Sequence, residues 1–444
     1  MLSRNGPAGS SRPCRRAVWI ILMVLVVALG LARPGGAAVF TCAAGDVACL
    51  IAAIDTANAN GEVNLIRLEP GAYTLTAENN FTDGPNGLPS ITSPLTIGGN
   101  GSGNTVIERA ATAPQFRVFH VAQSGRLNLE DITVRGGLRG GMVEFGGGGI
   151  LNRGTLVITH CAVTDNFSST VSSTGGGGIA SLGRLFIAGS TVANNTAVQS
   201  QGGGIFSPAA VTVINSTIRG NRSEAGGGGI AISNTAGSAT IIGTTIVDNH
   251  TGESHGGGLH SESSAVAIVN STFAENGAES GVGGGLFVRG GVVVNTTIAN
   301  NRSNGGRDLA ATSALALHNT IVSGPSDFSA TACQGQVTSL DNNLFFDPNC
   351  AVALLPHDRT GDTAWATTST LESRGVGSSC SRATVRRSMR ATTPRVCRPI
   401  NGEARGVEAA TSEPSKVRTP ETRADSRRAV IVDPWPPARR RPRP

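Results

Sequence analysis

The sequence predicts an all-β fold, a parallel β-helix, on three observations. Six glycine runs recur 25 to 29 residues apart, and Ile or Leu follows each run. An apolar residue followed three places later by asparagine recurs between them with the same period. The segments before these asparagines, such as 211–218 and 266–273, alternate β-branched with small polar residues as strands do. The runs begin at Gly146, Gly175, Gly202, Gly226, Gly256 and Gly283. The repeat asparagines are Asn166, Asn195, Asn221, Asn249, Asn276 and Asn301.

Two independent marks with one period are typical of a solenoid. A repeat that contains only short strands and turns has to stack coil upon coil, because one coil cannot bury its own inward side chains. We expect the solenoid over residues 63–350, with roughly ten coils of three short strands each at the spacing of paired strands.

Asparagine and glycine each have a physical reason to recur. Asparagine tolerates the left-handed backbone region, and stacked asparagine side chains can hydrogen-bond as a ladder. Glycine runs let the backbone turn with positive φ where a Cβ would clash. Both residue types are therefore predicted to be structural.

Charge is distributed unevenly along the chain. Residues 39–356 carry 13 arginines against 21 acidic residues, whereas residues 357–444 carry 18 basic against 9 acidic residues. The pI of about 9.2 thus describes the C-terminal part alone. It gives no reason to expect a nucleic acid as a partner of the acidic body.

The N-terminus has the features of a signal peptide over residues 1–38. Basic residues precede an apolar run over 17–31, and small residues at 36–38 offer a cleavage site. We expect a secreted or cell-surface bacterial protein. A membrane would be a partner only through an uncleaved signal segment, because the apolar run is shorter than the ~20 residues of a membrane span.

If the protein is exported, its cysteines can form disulfides, since disulfides persist outside the cytosol. Cys42 and Cys49 are close enough in sequence to close a small loop, and Cys333 and Cys350 are candidates for a second disulfide. Cys161 falls on an inward strand position and is predicted to be a buried free thiol.

Residues 39–62 are predicted to cap the solenoid. Leu50, Ala53, Ile54 and Ala57 follow a helical period, with Asp46 as N-cap and residue 61, a glycine, as the end of the helix. The apolar stripe has to cover something, and the open end of the first coil is the natural place.

Three stretches resemble a known group of proteins. Residues 49–58, 68–75 and 95–101 resemble the start of exported bacterial pectin lyase-like β-helix proteins with a CSLREA-type segment, and the repeats are similar to those of polymorphic outer-membrane proteins. The CSLREA motif itself is degraded here to Cys-Leu-Ile-Ala-Ala at 49–53. The resemblance implies a right-handed β-helix and life at the cell surface, and it implies little about chemistry.

Residues 351–444 show no periodicity and are predicted to form a disordered basic tail. In a shifted reading frame, back-translation of 388–403 permits IDAGDDAACLPADQRG, which resembles the ending of the same group. We therefore interpret the tail as the product of a frame change near residue 356, without a function of its own.

Few residues are candidates for chemistry, and none is predicted to be catalytic. Asp248 and Glu275 precede repeat asparagines on successive coils, ~5 Å apart along the stack, and are weak candidates for binding Ca²⁺, the one cofactor considered. A polar group at His250, Glu253, His255 and His260 is a second weak metal candidate, without a zinc spacing. The pair Glu130 and Asp131 is interpreted as exposed.

Two functions compete for this sequence. The favoured hypothesis is an exported, non-catalytic surface protein that binds polysaccharide or a cell surface along the solenoid. The alternative is a polysaccharide lyase or hydrolase that acts on acidic glycans, but the acidic body opposes an anionic substrate. Only Arg184 and Arg289 lie in the strand-rich parts of the repeats.

Overall fold

The computed structural model describes residues 38–141, 145–170, 174–323, 331–347, 350 and 352–361. These residues form a parallel β-solenoid of about 11 coils, with a single helix near the N-terminus. The predicted all-β fold is confirmed. The predicted signal peptide and most of the predicted tail lie outside the described residues.

The strands are short throughout and are numbered here in chain order. Those before the first glycine run are β1 Val39–Cys42, β2 Asn64–Leu68, β3 Gly71–Leu75, β4 Pro94–Gly98, β5 Thr105–Arg109, β6 Phe119–Val121, β7 Arg126–Glu130, β8 Thr133–Arg135 and β9 Leu138–Gly141. The first repeat coils contain β10 Ile150–Asn152, β11 Thr155–Thr159, β12 Ala162–Thr164, β13 Phe167–Thr170, β14 Ile179–Ser181, β15 Arg184–Ala188, β16 Thr191–Ala193, β17 Thr196–Val198, β18 Ile205–Ser207, β19 Ala210–Ile214, β20 Thr217–Arg219 and β21 Arg222–Ser223. The next coils contain β22 Ile230–Ile232, β23 Ser238–Ile242, β24 Thr245–Val247, β25 His250–Thr251, β26 Leu259–Ser261, β27 Val266–Val269, β28 Thr272–Ala274, β29 Gly277–Val282, β30 Leu286–Val288, β31 Gly291–Val294, β32 Thr297–Ala299 and β33 Arg302–Gly305. The last strands are β34 Leu309–His318, β35 Ile321–Ser323, β36 Cys333–Ser339, β37 Leu344–Phe345 and β38 Arg359–Thr360.

The strands stack into three parallel sheets of 19, 12 and 7 strands, here sheets 1, 2 and 3. A full repeat coil has four strands rather than the expected three. For example, β14 and β15 both belong to sheet 1, β16 to sheet 2 and β17 to sheet 3. The extra strand arises because sheet 1 bends at Gly183, where a Cβ would run into the carbonyl oxygen of Gly154 on the coil before.

The core consists of apolar side chains stacked from coil to coil. Ile187, Val213, Ile241 and Ile268 occupy one register position on successive strands of sheet 1 and are completely buried. Each covers the next, so stacking buries what a lone coil would expose.

The helix α1, Val47–Asn60, begins and ends as predicted. The Asp46 side chain accepts a hydrogen bond from Cys49 N at 2.9 Å, and Gly61 ends the helix with φ 70°. Its buried residues are Leu50, Ala53, Ile54 and Ala57. The helix packs against the first four strands. Within the described residues, no helix is long and apolar enough to cross a membrane.

The solenoid extends beyond its predicted bounds at both ends. At the start, β1 precedes the helix and pairs in register with β2. At the end, β38 pairs with β37, and Asn343 N donates to Asp358 Oδ1 at 2.7 Å. Strand pairing therefore continues as far as residue 360.

The structure pairs Cys42 with Cys49 and Cys333 with Cys350 as disulfides. Cys161 is a buried free thiol. Burial raises the pKa of Cys161 to about 12, so the thiol is protonated at neutral pH.

Candidate functional site

The repeat asparagines form a buried ladder along the solenoid. The Oδ1 atom of Asn249 accepts hydrogen bonds from the N and Nδ2 atoms of Asn221, at 3.1 and 2.9 Å. The Nδ2 atom of Asn249 donates to Asn276 Oδ1 at 2.9 Å and to Ile218 O at 3.0 Å. The same contacts recur from Asn166 to Asn301. Every amide in the ladder thus satisfies buried groups on its neighbours.

A buried carboxylate ends the ladder. Asp308 Oδ1 accepts from the N and Nδ2 atoms of Asn301, at 3.2 and 2.9 Å. Burial raises the pKa of Asp308 to about 7 despite these hydrogen bonds. The coil after Asn301 therefore holds an acid whose pKa lies near neutral pH.

The sequence led us to expect the repeat asparagine in the left-handed conformation at each turn. In the structure that conformation falls on the residue before it. Asp165, Asp248, Glu275 and Asn300 have φ between 56° and 57° there. The ladder asparagines lack positive φ. The physical reason is that their side chains must point inward to reach the next coil, so the tight turn falls on the preceding, exposed residue.

The glycine runs occupy tight turns in which one residue has positive φ, or two in the run at 226–229. That residue is the second of a run at Gly147, Gly176 and Gly227, and the first at Gly202, Gly256 and Gly283. Gly146 and Gly175 lack positive φ, but a Cβ on either would collide with backbone of the next coil. Gly226 has φ 118°. Both conformation and close approach therefore require glycine.

A second buried ladder was missed at the sequence level. Hydroxyl oxygens at the turn between sheets 1 and 2 accept from the backbone N–H of the coil before, as in Ser190 N to Ser216 Oγ at 3.2 Å. Thr244 and Ser271 continue it. The signal in the sequence was the recurring Ser/Thr-Thr pair at the start of β16, β20, β24, β28 and β32.

The metal candidates do not assemble into a site. Asp248 and Glu275 lie on successive coils, as predicted, but both are exposed. The Asp248 carboxylate contacts His250 Nε2 at 3.0 Å. Among the described residues, no group of three His, Cys, Asp or Glu side chains is placed to hold a metal ion.

The remaining histidines of the predicted group pack as aromatic rings. His255 stacks on Phe287 at 4.5 Å between centroids, and His260 lies 5.1 Å from the same ring. His260 is 6% exposed, and burial lowers its pKa to about 4. It is therefore a neutral core residue at pH 7.

We expect His260→Phe to flatten the loss of stability in acid. The folded-state pKa of His260 lies below the ordinary value of 6.5. As the pH falls from about 6.5 to about 4, the unfolded chain gains the proton first, so the folded state loses stability by up to about 1.4 kcal/mol per pH unit. Urea unfolding at several pH values should show a shallower decline for the variant. Equal slopes for both proteins would contradict a neutral buried His260.

A buried polar centre was also missed, because its residues belong to no repeat. His120 is completely buried, with Nδ1 at 2.8 Å from Ser90 Oγ and Nε2 at 3.1 Å from Asp83 Oδ2, the latter too poorly aligned for a hydrogen bond. Arg153 Nη1 donates to both Asp83 oxygens at 2.8 Å. Buried Arg117 donates to Asp83 O at 2.9 Å.

A hydroxyl, an imidazole and a carboxylate in series are the parts of a serine nucleophile. Here burial lowers the pKa of His120 to about 4, which makes the imidazole a weak base. Ser90 Oγ also donates to Asn80 Oδ1 at 3.0 Å. Burial alone would raise the pKa of Asp83, but Arg153 outweighs it and leaves that pKa below its usual value. These contacts hold residues 79–93 against the coils, which gives the buried polar centre a structural role.

A cleft of about 480 Å³ lies beside the first coils. Arg67, Glu69, Glu130 and Asp131 line part of it. Glu130 is exposed, as interpreted from the sequence, and Asp131 is half-buried. The mixed charges of this cleft indicate no particular ligand.

A row of partly exposed threonines runs along sheet 2, of which Thr245 is the most exposed. Thr191, Thr217, Thr245, Thr272 and Thr297 are paired in register on five successive coils. They point outward, because the next residue of each strand is buried. In the part of the chain that the structure describes, none of the five hydroxyls has a hydrogen-bond partner. We call this row and its borders the threonine face.

Two rows of turn residues border the threonines. On one side the exposed side chains of Asn270, Asn295 and Asn319 are linked, with Nδ2 to Oδ1 distances of 3.0 and 2.8 Å. On the other side lie Asp248 and Glu275. The face thus offers hydrogen-bonding groups at ~4.8 Å intervals, the spacing of paired strands.

No known protein family matches this chain, and no curated protein matches it.

Proposed function

We propose that this protein is an exported, non-catalytic surface protein that binds polysaccharide along the long side of its solenoid. The threonine face supports the proposal, because its five hydroxyls have no partner in the described structure and repeat on five successive coils. Polar groups without internal partners can exchange bound water for the hydroxyls of a glycan.

The alternative function, a lyase or hydrolase that acts on acidic polysaccharides, has less support. The arginines in the strands of the repeats are Arg184, Arg219, Arg222 and Arg302, rather than the predicted Arg184 and Arg289, because Arg289 lies in the loop after β30. These four are spread over all three sheets, whereas a uronate chain needs several cations side by side.

Retention of the full chain on insoluble polysaccharides tests the proposal. We expect retention on neutral or amino-sugar polymers and no release of unsaturated product from polygalacturonate, alginate or chondroitin, with or without Ca²⁺. Passage through every column would contradict binding. Formation of the product, lost on Asp248→Asn, would support the lyase instead.

Export is tested separately by cell fractionation. We expect the protein in the medium or on the cell surface, with a mature N-terminus near Val39. Retention in the cytoplasm with an intact N-terminus would contradict export.

A further inference from the structure

We infer that the first strand of sheet 3 carries a binding site for one doubly charged oxyanion, a phosphate group, with Arg139 as its main ligand. The site lies where Gly84 packs against Arg139 of β9. It is separate from the threonine face, so the inference goes beyond the proposed function and does not depend on it.

Positive charge is in excess in and beside the buried polar centre. Arg117 is completely buried, and Arg139 is 3% exposed. Burial and the charge of Arg139 lower the pKa of Arg117 to about 9, so the two guanidinium groups lie close enough to repel each other. Among the described residues, Asp83 is the carboxylate of this centre, and Arg153 binds both of its oxygens. While His120 is neutral, three arginines and one carboxylate leave a net charge of +2.

Several buried donors around Arg139 lack an acceptor. In the described structure neither Nε nor Nη2 of Arg139 has a hydrogen-bond partner, and Nη1 donates to Gly140 O at 3.1 Å. The Nε and Nη2 atoms form the edge with which a guanidinium binds two oxygens of one oxyanion. Ser168 is paired in register with Arg139 on the next coil, and its hydroxyl is also buried without a partner. The Nε atom of Arg117 is in the same state. A ligand that supplies several acceptor oxygens would satisfy this set of donors.

The end of sheet 3 leaves room for a ligand to approach. β9 begins this sheet, and no strand among the described residues pairs with its other edge. Gly84 is half-buried and lies against the guanidinium of Arg139, where a Cβ would come within 2.7 Å of Nη2 and 3.1 Å of Cζ. A side chain at residue 84 would therefore fill the space beside the donors, and glycine keeps that space open.

The charge and the donors together select a phosphate group. A buried water molecule would accept the hydrogen bonds, but the charge of +2 would remain in an interior where an unpaired charge is costly. One carboxylate would balance half of this charge. A phosphate monoester carries about −1.5 to −2 charges at pH 7 and offers three acceptor oxygens. It therefore satisfies the donors and the charge at once.

Thermal unfolding of the full chain at pH 7 and fixed ionic strength tests the site with inorganic phosphate, glucose 1-phosphate and galacturonate. We expect the melting temperature to rise with inorganic phosphate and to level off as the site saturates. Galacturonate, with a single charge, should act more weakly. A rise with glucose 1-phosphate as well assigns the site to a phosphate group on a larger molecule, whereas a rise with inorganic phosphate alone assigns it to the free ion. No rise with either, or a stronger effect of galacturonate, would overturn the inference.

The variant Arg139→Met distinguishes a ligand site from a purely structural arginine. Without phosphate, the variant should melt no lower than the natural protein, because it loses an uncompensated buried charge and keeps an apolar stem. With saturating phosphate, the natural protein should melt higher. The affinity for phosphate should fall about 10- to 100-fold, as expected for the loss of charge-assisted hydrogen bonds. A variant that melts lower by the same amount at every phosphate concentration would make Arg139 purely structural and overturn the inference.

Two further variants are matched to this one. Arg139→Lys keeps the charge but loses the two-donor edge, so its response to phosphate should lie between those of the natural protein and Arg139→Met. Arg126→Gln removes the charge of an exposed arginine on β7 and should leave the response unchanged. An equal loss of response in Arg126→Gln would mean that phosphate screens the overall charge, and would overturn the assignment to Arg139. These experiments involve no polysaccharide, so their failure would leave the proposed function untouched.

Discussion

Replacing Asn249 with alanine is expected to lower the free energy of unfolding by about 3 to 5 kcal/mol. The substitution removes a buried amide from the middle of the ladder. It leaves the N–H group of Asn221 without its acceptor and takes one of two acceptors from Asn221 Nδ2. It also removes the side-chain donor to Asn276 Oδ1 and Ile218 O, although Asn276 Oδ1 still accepts from the backbone N of residue 249. Each buried polar group without a partner costs about 1 to 3 kcal/mol, and water can replace only some of the lost contacts.

The matched control is Asn295→Gly. Asn295 also links neighbouring asparagines, but it is exposed and has φ 51°, which glycine adopts without strain. We expect a change below about 1 kcal/mol, because water satisfies the groups left behind. Urea denaturation of both variants at pH 7 measures the difference. Similar losses for the two would mean that burial does not set the strength of the ladder.

The ladder was predictable from the sequence because strict period and side-chain chemistry coincide in it. An asparagine that must meet its copy on the next coil cannot be exchanged for serine or aspartate without a change in donors, so Asn221 and Asn249 stand out. The hydroxyl ladder was not predicted because its acceptor can be serine or threonine, as at Ser216 and Thr244. The repeat therefore shows no single residue type at that position.

The turn conformation was assigned one residue too late for a similar reason. The left-handed position accepts Asp, Asn, Glu or Gly, as Asp165 and Glu275 illustrate, so it has no fixed letter in the repeat. The buried polar centre was beyond sequence reasoning. Asp83, His120 and Arg153 meet only because coils of unequal length stack, and no period relates their positions.

The glycine runs give a second large effect, expected from the double substitution Gly227→Val and Gly228→Val. A side chain in the left-handed conformation costs about 1 to 2 kcal/mol per residue. The structure adds a collision at both positions. A Cβ on Gly228 would lie 2.5 Å from His250 O and 2.6 Å from Gly257 O, and Gly227 has φ 62° with Ala231 Cβ at 2.7 Å from the added atom.

We therefore expect the double variant to lose about 3 kcal/mol or more, the sum of one left-handed valine and the displacement of packed backbone. Because the carbonyl of Gly257 belongs to the next coil, the damage should spread along the stack and lower the cooperativity of unfolding as well as its midpoint. The control is Gly252→Val, where no atom lies within 4 Å of the added Cβ and φ is not positive. Thermal unfolding followed by circular dichroism compares the three proteins. A melting temperature of the double variant equal to that of the control would place the glycine runs in loose loops and contradict the close contact between coils on which the stacked turns depend.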